Sequence, residues 1–308
     1  MTPPDVDVEI ADVDVSVILA VPGGGDDVAQ SLEAIRIAAA GYAVELIIVA
    51  ESAAAQDAAP ADASTDFVGV IFEQAPVGSL TPCLWAAGYR RAGGRIVAFT
   101  TAQCTAPPTW IKSMRDGIAG GAAGVGGPLA LAHDASATDW AVFHLRYSAF
   151  LQVPPNGASV REIPGDNAAY PRDLLLRHES AVRDGFWEVE LHRLLRADGG
   201  VLRMLPGMMV TFGRVSALGT LLAQRFTHGK HAGWWRVHTG ARRSWQIVFA
   251  APLVPAVLFG RILRAIRNQG GKIRIGALPV LALMAAAWAA GEAVGAIQSR
   301  EPASCDFL

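Results

Sequence analysis

The sequence predicts an α/β protein: a mostly parallel sheet with flanking helices, followed by apolar, membrane-associated helices at the C-terminal end. Three observations support this fold class. Nearly continuous apolar runs such as 45–50 alternate with amphipathic helical segments as far as residue 99, which is typical of buried parallel strands joined by helices. Strand and helix signals continue after residue 110 with less regular spacing. Two long apolar stretches then follow residue 241.

The first 110 residues contain the clearest strands and helices. The strands are rich in β-branched residues, and the helices repeat apolar residues three or four positions apart. We predict strands at 15–21, 45–50, 67–72 and 96–99, and helices at 28–40 and 80–92. Asp26 or Asp27 is the expected N-cap of the first helix, and the alanine- and aspartate-rich segment 52–64 is a loop or a weak helix. In such a sheet, ligands bind at the carboxyl ends of the strands.

The second half is predicted to add shorter elements. We expect helices at 111–118, 140–151, 173–178 and 186–197, and strands at 128–131, 201–205 and 208–212. Residues 165–172 are expected to form a turn that leads into a helix. Gly199 and Gly200 are typical of a helix C-terminus.

Charge is distributed unevenly along a chain of net charge −2. Residues 1–110 hold 14 Asp or Glu and four Arg, whereas residues 203–274 hold 12 Lys or Arg and no acid. Such a basic run indicates a solvated face, a nucleic-acid patch or contact with anionic lipid. We favour lipid, because apolar segments adjoin the run and 52% of all residues are hydrophobic. The acidic N-terminus lacks the basic and apolar regions of a signal peptide.

Two apolar stretches lie near the C-terminus. Residues 245–258 are interrupted by Pro252 and Pro255, and residues 275–297 contain Glu292. The second stretch is long enough to cross a bilayer, and the first is marginal. Basic clusters would flank the first on both sides of a membrane, which the positive-inside rule disfavours. A shallow cytosolic hairpin, or amphipathic helices lying in the membrane interface, satisfies the charges better; ordinary core helices are the alternative.

Several segments together resemble one known family. In chain order they read VSVILAVP, ELIIVAES, GSLTPCLWAAGYRRAGGRIVAF, PGDNAAYPRDLL, GFWEVELHRLLRADGGVLRMLP, QRFTHGKHAG and PVLALMAAAWAAGEAVGAI. Their order is similar to that of bacterial, membrane-associated family-2 glycosyltransferases with the GT-A fold. The acidic composition of the N-terminus predicts a disordered tail (1–14), and the resemblance implies a glycosyltransferase-like domain (15–240). A hydrophobic membrane-associated region (241–308) completes the chain. The domain would divide at residue 110 into a nucleotide-binding half and an acceptor half.

One motif of that family is altered. In family members, the loop after the fourth strand carries an Asp-x-Asp pair that binds a divalent metal. Here the same loop contains Thr101, Ala102 and Gln103 and no carboxylate. Hard divalent cations prefer carboxylate oxygens, so we expect no cofactor and weak or absent dependence on Mg or Mn. Arg225 and Lys230, in the segment that resembles the one folding over the diphosphate, would then supply the positive charge.

The resemblance also suggests the other site residues. Glu188 stands where family members carry the general base, and Glu190 is a second candidate. Both also suit an exposed helix N-terminus. Glu51 follows the second strand and could accept hydrogen bonds from the nucleoside, together with Thr101 and Gln103 near the donor. Asp166 and Asn167 would contact the acceptor, although both residue types are common in turns.

Three functional hypotheses follow. The first is an inverting enzyme that transfers a sugar from a nucleotide-diphosphate donor to a lipid-linked or polysaccharide acceptor at the cytoplasmic face of the cell membrane. The second is a catalytically degenerate homologue that acts as a binding or scaffold partner, motivated by the missing carboxylates. The third is a purely structural α/β membrane protein. Absence of binding of any nucleotide-sugar would reject the enzyme hypothesis.

Overall fold

The computed structural model describes residues 13–23, 28–51, 66–154, 157–213, 217–268 and 272–300. The proposed Asp26 or Asp27 cap, the loop at 52–64 and residues 1–12 of the acidic tail lie outside this described part of the chain. Val13 and Asp14 are described and lead directly into the first strand, with Asp14 paired to Arg115 at 3.0 Å.

An eight-stranded, mostly parallel sheet forms the centre of the fold, in the order β3-β2-β1-β4-β9-β6-β10-β8. Its strands are β1 (Val15–Val21), β2 (Val44–Ala50), β3 (Gly69–Gln74), β4 (Ile96–Thr101), β6 (Gly124–Gly126), β8 (Ser159–Val160), β9 (Asn167–Pro171) and β10 (Leu202–Met204). A small second sheet has the order β5-β11-β7. It is built from β5 (Cys104–Thr105), β7 (Leu129–Leu131) and β11 (Val210–Phe212). This architecture confirms the predicted α/β fold class.

Helices cover both faces of the main sheet. They are α1 (Val28–Ala39), α2 (Thr81–Tyr89), α3 (Trp110–Ala119), α4 (Ala137–Tyr147), α5 (Arg172–Arg177) and α6 (Glu188–Ala197). Four more follow: α7 (Leu218–His238), α8 (Ser244–Ala250), α9 (Val254–Asn268) and α10 (Leu278–Ile297). The alternating side chains of β1 separate the two core layers, since Val17 and Leu19 pack with α1 on one face and Ile18 packs with α2 on the other.

The strand β9 corrects one sequence prediction. We expected residues 165–172 to form a turn, but Asn167–Pro171 is a central strand paired antiparallel with both β4 and β6. Ala168, Ala169 and Tyr170 are fully buried. Small residues and one aromatic ring between two strands gain their stability from cross-strand packing, which local turn signals do not report.

The helix α7 was not predicted from the sequence, and its backbone packs closely against that of α10. Gly229 and Gly233 of α7 face Gly291 and Gly295 of α10, and a Cβ added at Gly233 would lie 2.1 Å from the carbonyl oxygen of Glu292. Glycine is therefore required for the two backbones to approach this closely. Glu292 is buried in the same contact and pairs with Arg236 of α7.

The C-terminal apolar helices differ in form. Residues 275–297 form a straight segment long and apolar enough to cross a membrane, with 44% of its most apolar window buried inside the protein. The helices α8 and α9 are bent by 69° at the break between them, where Pro252 interrupts the hydrogen-bond ladder. The helix α9 buries Ile262 and Ile266 against α4 and the start of α10.

Candidate active site

Four chain segments meet at one edge of the main sheet. The parallel strands β1, β2 and β4 end there, and β9 begins there because it runs antiparallel to β4, with Asn167 opposite Thr100. Residues just after β1, β2 and β4 and just before β9 therefore converge, as the carboxyl edge of an open α/β sheet predicts.

A polar pocket opens at this edge beneath α7. Its polar lining residues are Thr81, Gln103, Arg146, Gln224, Arg225 and His228. Three buried atoms of this lining, Gln103 Oε1, Arg225 Nε and His228 Nε2, have no hydrogen-bond partner among the described residues. Buried polar atoms in proteins are nearly always hydrogen-bonded, so these three atoms need partners that a bound ligand or ordered water would supply.

Two guanidinium groups, those of Arg146 and Arg225, line this pocket. Burial and the nearby Arg146 lower the pKa of Arg225 to about 9. Burial also lowers the pKa of His228 far below its usual value, with Arg225 and Arg146 adding to the effect, so this imidazole is neutral at pH 7. Arg225 rests on the Trp288 ring of α10, 4.6 Å from its centroid. The pocket therefore carries excess positive charge and suits an anion.

The turn before β9 anchors one of these arginines. Arg146 Nη2 donates to Asp166 Oδ1 at 3.1 Å and to Oδ2 at 2.8 Å. The Tyr147 hydroxyl donates to the same carboxylate. Asn167 is held as firmly, because its Oδ1 accepts from Trp110 Nε1 at 2.8 Å and its Nδ2 donates to the Met208 carbonyl at 2.6 Å. Both predicted acceptor ligands thus bond to the protein itself.

Glu188 lies at the same edge, as the first residue of α6. A Cβ built on Gly165 would be 3.2 Å from Glu188 Cδ, so the carboxyl group packs directly against the turn before β9. Burial raises the pKa of Glu188 to about 7; the Asp166 charge adds to this, and Arg146 opposes it. A carboxyl group with such a pKa exchanges protons readily near neutral pH. Glu188 was the predicted general base.

Glu51 connects three loops of the site. Its Oε1 accepts the Gly23 N–H at 3.2 Å and its Oε2 accepts the Gly78 N–H at 2.8 Å. The carboxylate after β2 therefore ties the loop after β1 to the loop after β3. We predicted a nucleoside ligand here, and the structure shows a buried side chain that shapes the loops around it.

Three other predicted site residues lie apart from the pocket. Thr101 is fully buried, and its hydroxyl contacts Cys104 Sγ at 3.6 Å. The Lys230 backbone packs against Gly295 of α10, and its side chain is not among the pocket lining residues. Glu190 forms a 2.6 Å ion pair with Arg193 on the outer face of α6. Of the predicted donor ligands, the structure brings Gln103 and Arg225 together.

The residues around Gln103 do not fit a divalent metal. Gln103 supplies a single amide oxygen, and the other charged groups lining the pocket are the guanidinium groups of Arg146 and Arg225, which repel a cation. Among the described residues there is no group of three or more His, Cys, Asp or Glu that could hold a metal ion. Magnesium and manganese prefer carboxylate oxygens.

Sequence reasoning missed two residues of this region. Arg146 lies in the last turn of α4, a helix that begins with a capping box formed by Ser136 and Asp139. An arginine within the otherwise aromatic and apolar run WAVFHLRY was the available signal. Trp187 precedes Glu188, and its ring lies 6.3 Å from that of His228 and 6.0 Å from that of His231. It joins the start of α6 to α7.

Comparison with solved structures identifies the fold. The chain is similar to a mannosyltransferase from Pyrobaculum calidifontis in complex with GDP-Man and Mn2+, with 17% identity, a TM-score of 0.50, and coverage of 93% of this chain and 74% of that one. It also matches S. aureus TarS 1-349 in complex with UDP, with 11% identity, a TM-score of 0.48, and coverage of 91% and 90%. No family model and no curated protein matches the chain. The likeness to the mannosyltransferase confirms the predicted GT-A-like fold.

Proposed function

We propose that this protein is an inverting glycosyltransferase that takes a sugar from a nucleoside-diphosphate donor. The observation that carries the proposal is the pocket at the carboxyl edge of the sheet, where Gln103, Arg225 and His228 each present a buried polar atom without a partner among the described residues. GDP-Man, the ligand named for the similar mannosyltransferase, belongs to the chemical class of the proposed donor. The GT-A-like fold supports this assignment.

Arg225 is the residue best suited to the donor diphosphate. Its Nε is buried at the pocket and has no partner among the described residues, so a phosphate oxygen would satisfy both its charge and its hydrogen bonding. Charge-assisted hydrogen bonds of this kind are about twice as strong as neutral ones. Developing negative charge on the leaving diphosphate would be stabilised by a group already in position, without reorganisation.

Glu188 is the proposed general base. The acceptor hydroxyl oxygen forms a bond to C1 of the donor sugar as the bond from C1 to the phosphate oxygen breaks. The acceptor proton passes to Glu188, and the electron pair leaves with the diphosphate. Attack from the side opposite the leaving group inverts C1. A carboxyl group with a pKa of about 7 is suited to this transfer, because about half of it is ionised at neutral pH and its carboxylate is a stronger base than an ordinary one.

The proposed chemistry depends little on a divalent metal. The loop after β4 offers an amide where carboxylates would be needed, and guanidinium groups occupy the charged positions of the pocket. Glu51 holds the loops that would border the nucleoside, through Gly23 and Gly78. Gln103 would contact the donor directly. We assign Thr101 and Lys230 no direct contact with the donor, since neither side chain lines the pocket.

Calorimetric titration of the full-length chain with UDP and GDP tests the proposal. We expect one of them to bind, with similar affinity in EDTA and in manganese. Arg225→Gln should weaken binding about tenfold or more, since it removes a charge-assisted bond. Arg193→Gln is the matched control, because Arg193 is exposed on α6 and pairs with Glu190. Absence of binding of either nucleotide at millimolar concentration would reject the assignment.

Hydrolysis of nucleotide-sugars, with water in place of the acceptor, separates the enzyme from the scaffold alternative. An active enzyme should release the nucleoside diphosphate from the sugar nucleotide that matches its preferred base. Nucleotide binding with no release from a panel of UDP- and GDP-sugars would favour the catalytically degenerate homologue. Two observations motivate that alternative. The Thr101 hydroxyl contacts Cys104 away from the pocket, and both carboxylate oxygens of Glu51 accept hydrogen bonds from the protein itself.

We also propose that α8 and α9 lie on the anionic cytoplasmic face of the membrane. Large apolar side chains are exposed there, with Phe249 78% and Leu253 66% exposed, and Trp245 and Val257 continue the same surface. Exposed arginines border them on both sides: Arg242, Arg243, Arg261, Arg264 and Arg267. Apolar groups beside basic groups fit the boundary between acyl chains and anionic headgroups. A lipid-linked or polysaccharide acceptor is consistent with that position.

Co-sedimentation with lipid vesicles tests the membrane proposal. The full-length chain should bind phosphatidylglycerol-containing vesicles and bind pure phosphatidylcholine vesicles much more weakly. The triple variant Arg261→Gln/Arg264→Gln/Arg267→Gln should lose about 100-fold in affinity, at about 1 kcal/mol per basic residue. The control Arg91→Gln/Arg177→Gln/Arg193→Gln removes the same charge from other surfaces. Equal loss in both variants would show that net charge, and not this surface, is responsible.

A further inference from the structure

The ion pair between Arg146 and Asp166 links the acceptor-side turn to the donor pocket. Asp166 is buried just before β9, whereas Arg146 lies in the last turn of α4 and lines the pocket. The described contacts of Arg146 with Asp166 use Nη2 alone. Among the described residues neither Nε nor Nη1 of the same guanidinium has a hydrogen-bond partner, so both donors are able to bind a ligand.

The position of this arginine is set by rigid neighbours. Tyr147 donates its hydroxyl to the Asp166 carboxylate, and the next residue, Asn167, is bonded to Trp110 and Met208. The turn cannot move without breaking these bonds, so Asp166 holds Arg146 in one place. A fixed guanidinium loses less conformational freedom on binding an anion than a free surface arginine does.

The two guanidinium groups of the pocket, with Asp166 as the carboxylate paired to one of them, leave a positive charge that a bound anion would neutralise. Arg146 and Arg225 line the same pocket, and each is close enough to affect the acid–base behaviour of its neighbours. One carboxylate, Asp166, neutralises Arg146. Within the described part of the chain no ion pair neutralises Arg225. One phosphoryl group between the two guanidinium groups would offset their repulsion.

Resting on the proposed function, we propose that Arg146 is a second ligand of the donor diphosphate and that Asp166 is a positioning residue acting through Arg146. This assignment differs from the acceptor contact predicted for Asp166. The diphosphate bridges Arg146 and Arg225, so that α4 and α7 close on it from two sides. The cationic pair supplies the charge that a metal supplies in sites rich in carboxylates.

The test uses inorganic pyrophosphate as the probe and the full-length chain. Removing Arg146 alone would leave Asp166 buried and unpaired, which is costly to stability. The informative variant is therefore Arg146→Gln/Asp166→Asn, which keeps a hydrogen bond between two amides and leaves the net charge of the chain unchanged. We expect this double variant to bind pyrophosphate about tenfold or more weakly than the wild type. Asp166→Asn alone keeps the Arg146 charge but loses the carboxylate that positions it, so it should bind pyrophosphate more weakly than the wild type and more tightly than the double variant.

Two controls separate the possible outcomes. Arg193→Gln should bind pyrophosphate within about twofold of wild type, since a single distant surface charge is screened by salt. Thermal unfolding of every variant verifies that it is folded at the titration temperature. Unchanged pyrophosphate affinity in the folded double variant would overturn the proposal, as would a wild type that binds no pyrophosphate at millimolar concentration.

Parallel titrations with UDP and GDP distinguish this inference from the proposed function. Binding of pyrophosphate that depends on Arg146, with no binding of either nucleotide, would support the anion site and reject the nucleotide-sugar assignment. Binding of a nucleotide that depends on Arg225 and not on Arg146 would support the nucleotide-sugar assignment and reject Arg146 as a ligand of the diphosphate. Loss of both pyrophosphate and nucleotide affinity in the double variant supports the two proposals together.

Discussion

The guanidinium carbon of Arg225 lies 4.6 Å from the centroid of the Trp288 ring. This contact joins the candidate diphosphate ligand on α7 to the apolar helix α10, which also supplies Met284 to the pocket wall. The C-terminal helix therefore contributes to the pocket directly, whatever its relation to a membrane.

Replacing Trp288 should weaken nucleotide binding. A cation–π contact contributes about 0.5–2 kcal/mol, so Trp288→Leu should raise the Kd for the preferred nucleoside diphosphate about three- to thirtyfold, because Arg225 loses its support. Trp288→Phe should retain most of the affinity. Trp245→Leu is the control, since Trp245 is exposed on α8. Calorimetry measures the affinity, and equal values for the two leucine variants would contradict the prediction.

Gly165 should be sensitive to a single added carbon. In Gly165→Ala the new Cβ would meet Glu188 Cδ at 3.2 Å and the Trp85 ring at 3.2 Å, so the carboxyl group must shift. We expect hydrolysis of the nucleotide-sugar to slow about tenfold or more, since small displacements of a catalytic group are costly. Donor affinity should change little.

The control for this variant is Gly260→Ala, because Gly260 of α9 has open space around it. That substitution should leave the rate unchanged and stabilise the helix by about 0.5–1 kcal/mol. A normal rate in Gly165→Ala would argue against Glu188 as the base.

Activity should depend on the ionisation of Glu188. A general base works only when deprotonated, so the rate of donor hydrolysis should rise with pH and level off above the Glu188 pKa of about 7. Glu188→Gln should lower the rate about 100-fold or more and leave nucleotide binding intact. A pH profile that is flat between pH 5.5 and 8.5, at roughly one and a half units on either side of that pKa, would contradict the assignment.

The same pKa predicts the pH dependence of stability. The folded-state pKa of about 7 is above the ordinary value of 4.5, so between these values the folded chain retains a proton that the unfolded chain has lost. The contribution of Glu188 to stability therefore falls as pH rises through this window and stays low above it. Glu188→Gln should raise the Tm more at pH 8 than at pH 5. Equal shifts at both pH values would indicate that the carboxyl group is not desolvated.

The contact between α7 and α10 should not tolerate a side chain. A Cβ at Gly233 would lie 2.1 Å from the Glu292 carbonyl oxygen, so Gly233→Ala must separate the helices and should cost about 1–3 kcal/mol. Gly219→Ala, in the same helix with open space around it, should be neutral or stabilising. Thermal unfolding compares the two, and similar Tm values would contradict the close approach.

The strands of the first half could be predicted because their signal is local. β1 matches the predicted range at both ends, and β2 and β4 differ by one and two residues, since a strand buried on both faces must be apolar throughout. β9 and α7 could not be predicted in this way. Asn167–Pro171 becomes a strand because β4 and β6 pair with it. The glycines of α7, which disfavour a helix locally, are required by the contact with α10.

The candidate site likewise contains residues that sequence motifs identify and residues whose bonding partners only the fold determines. Gln103, Arg225 and Glu188 could be singled out from short motifs, and the structure brings Gln103 and Arg225 into one pocket. The partners of Glu51, Asp166 and Asn167 could not, because each is bonded to residues at least 19 positions away. Sequence motifs identify residue types suited to a reaction, whereas hydrogen-bond partners depend on which loops meet.

Local pattern was thus sufficient for the α/β class, the buried strands and the absence of carboxylates after β4, because hydrophobic periodicity and residue chemistry are properties of neighbouring residues. The fold alone decided that Arg146 enters the pocket, that Asp166 holds it there, and that α10 supports Arg225. Those relationships depend on side chains far apart in the chain, which only the packing of strands and helices brings within contact distance.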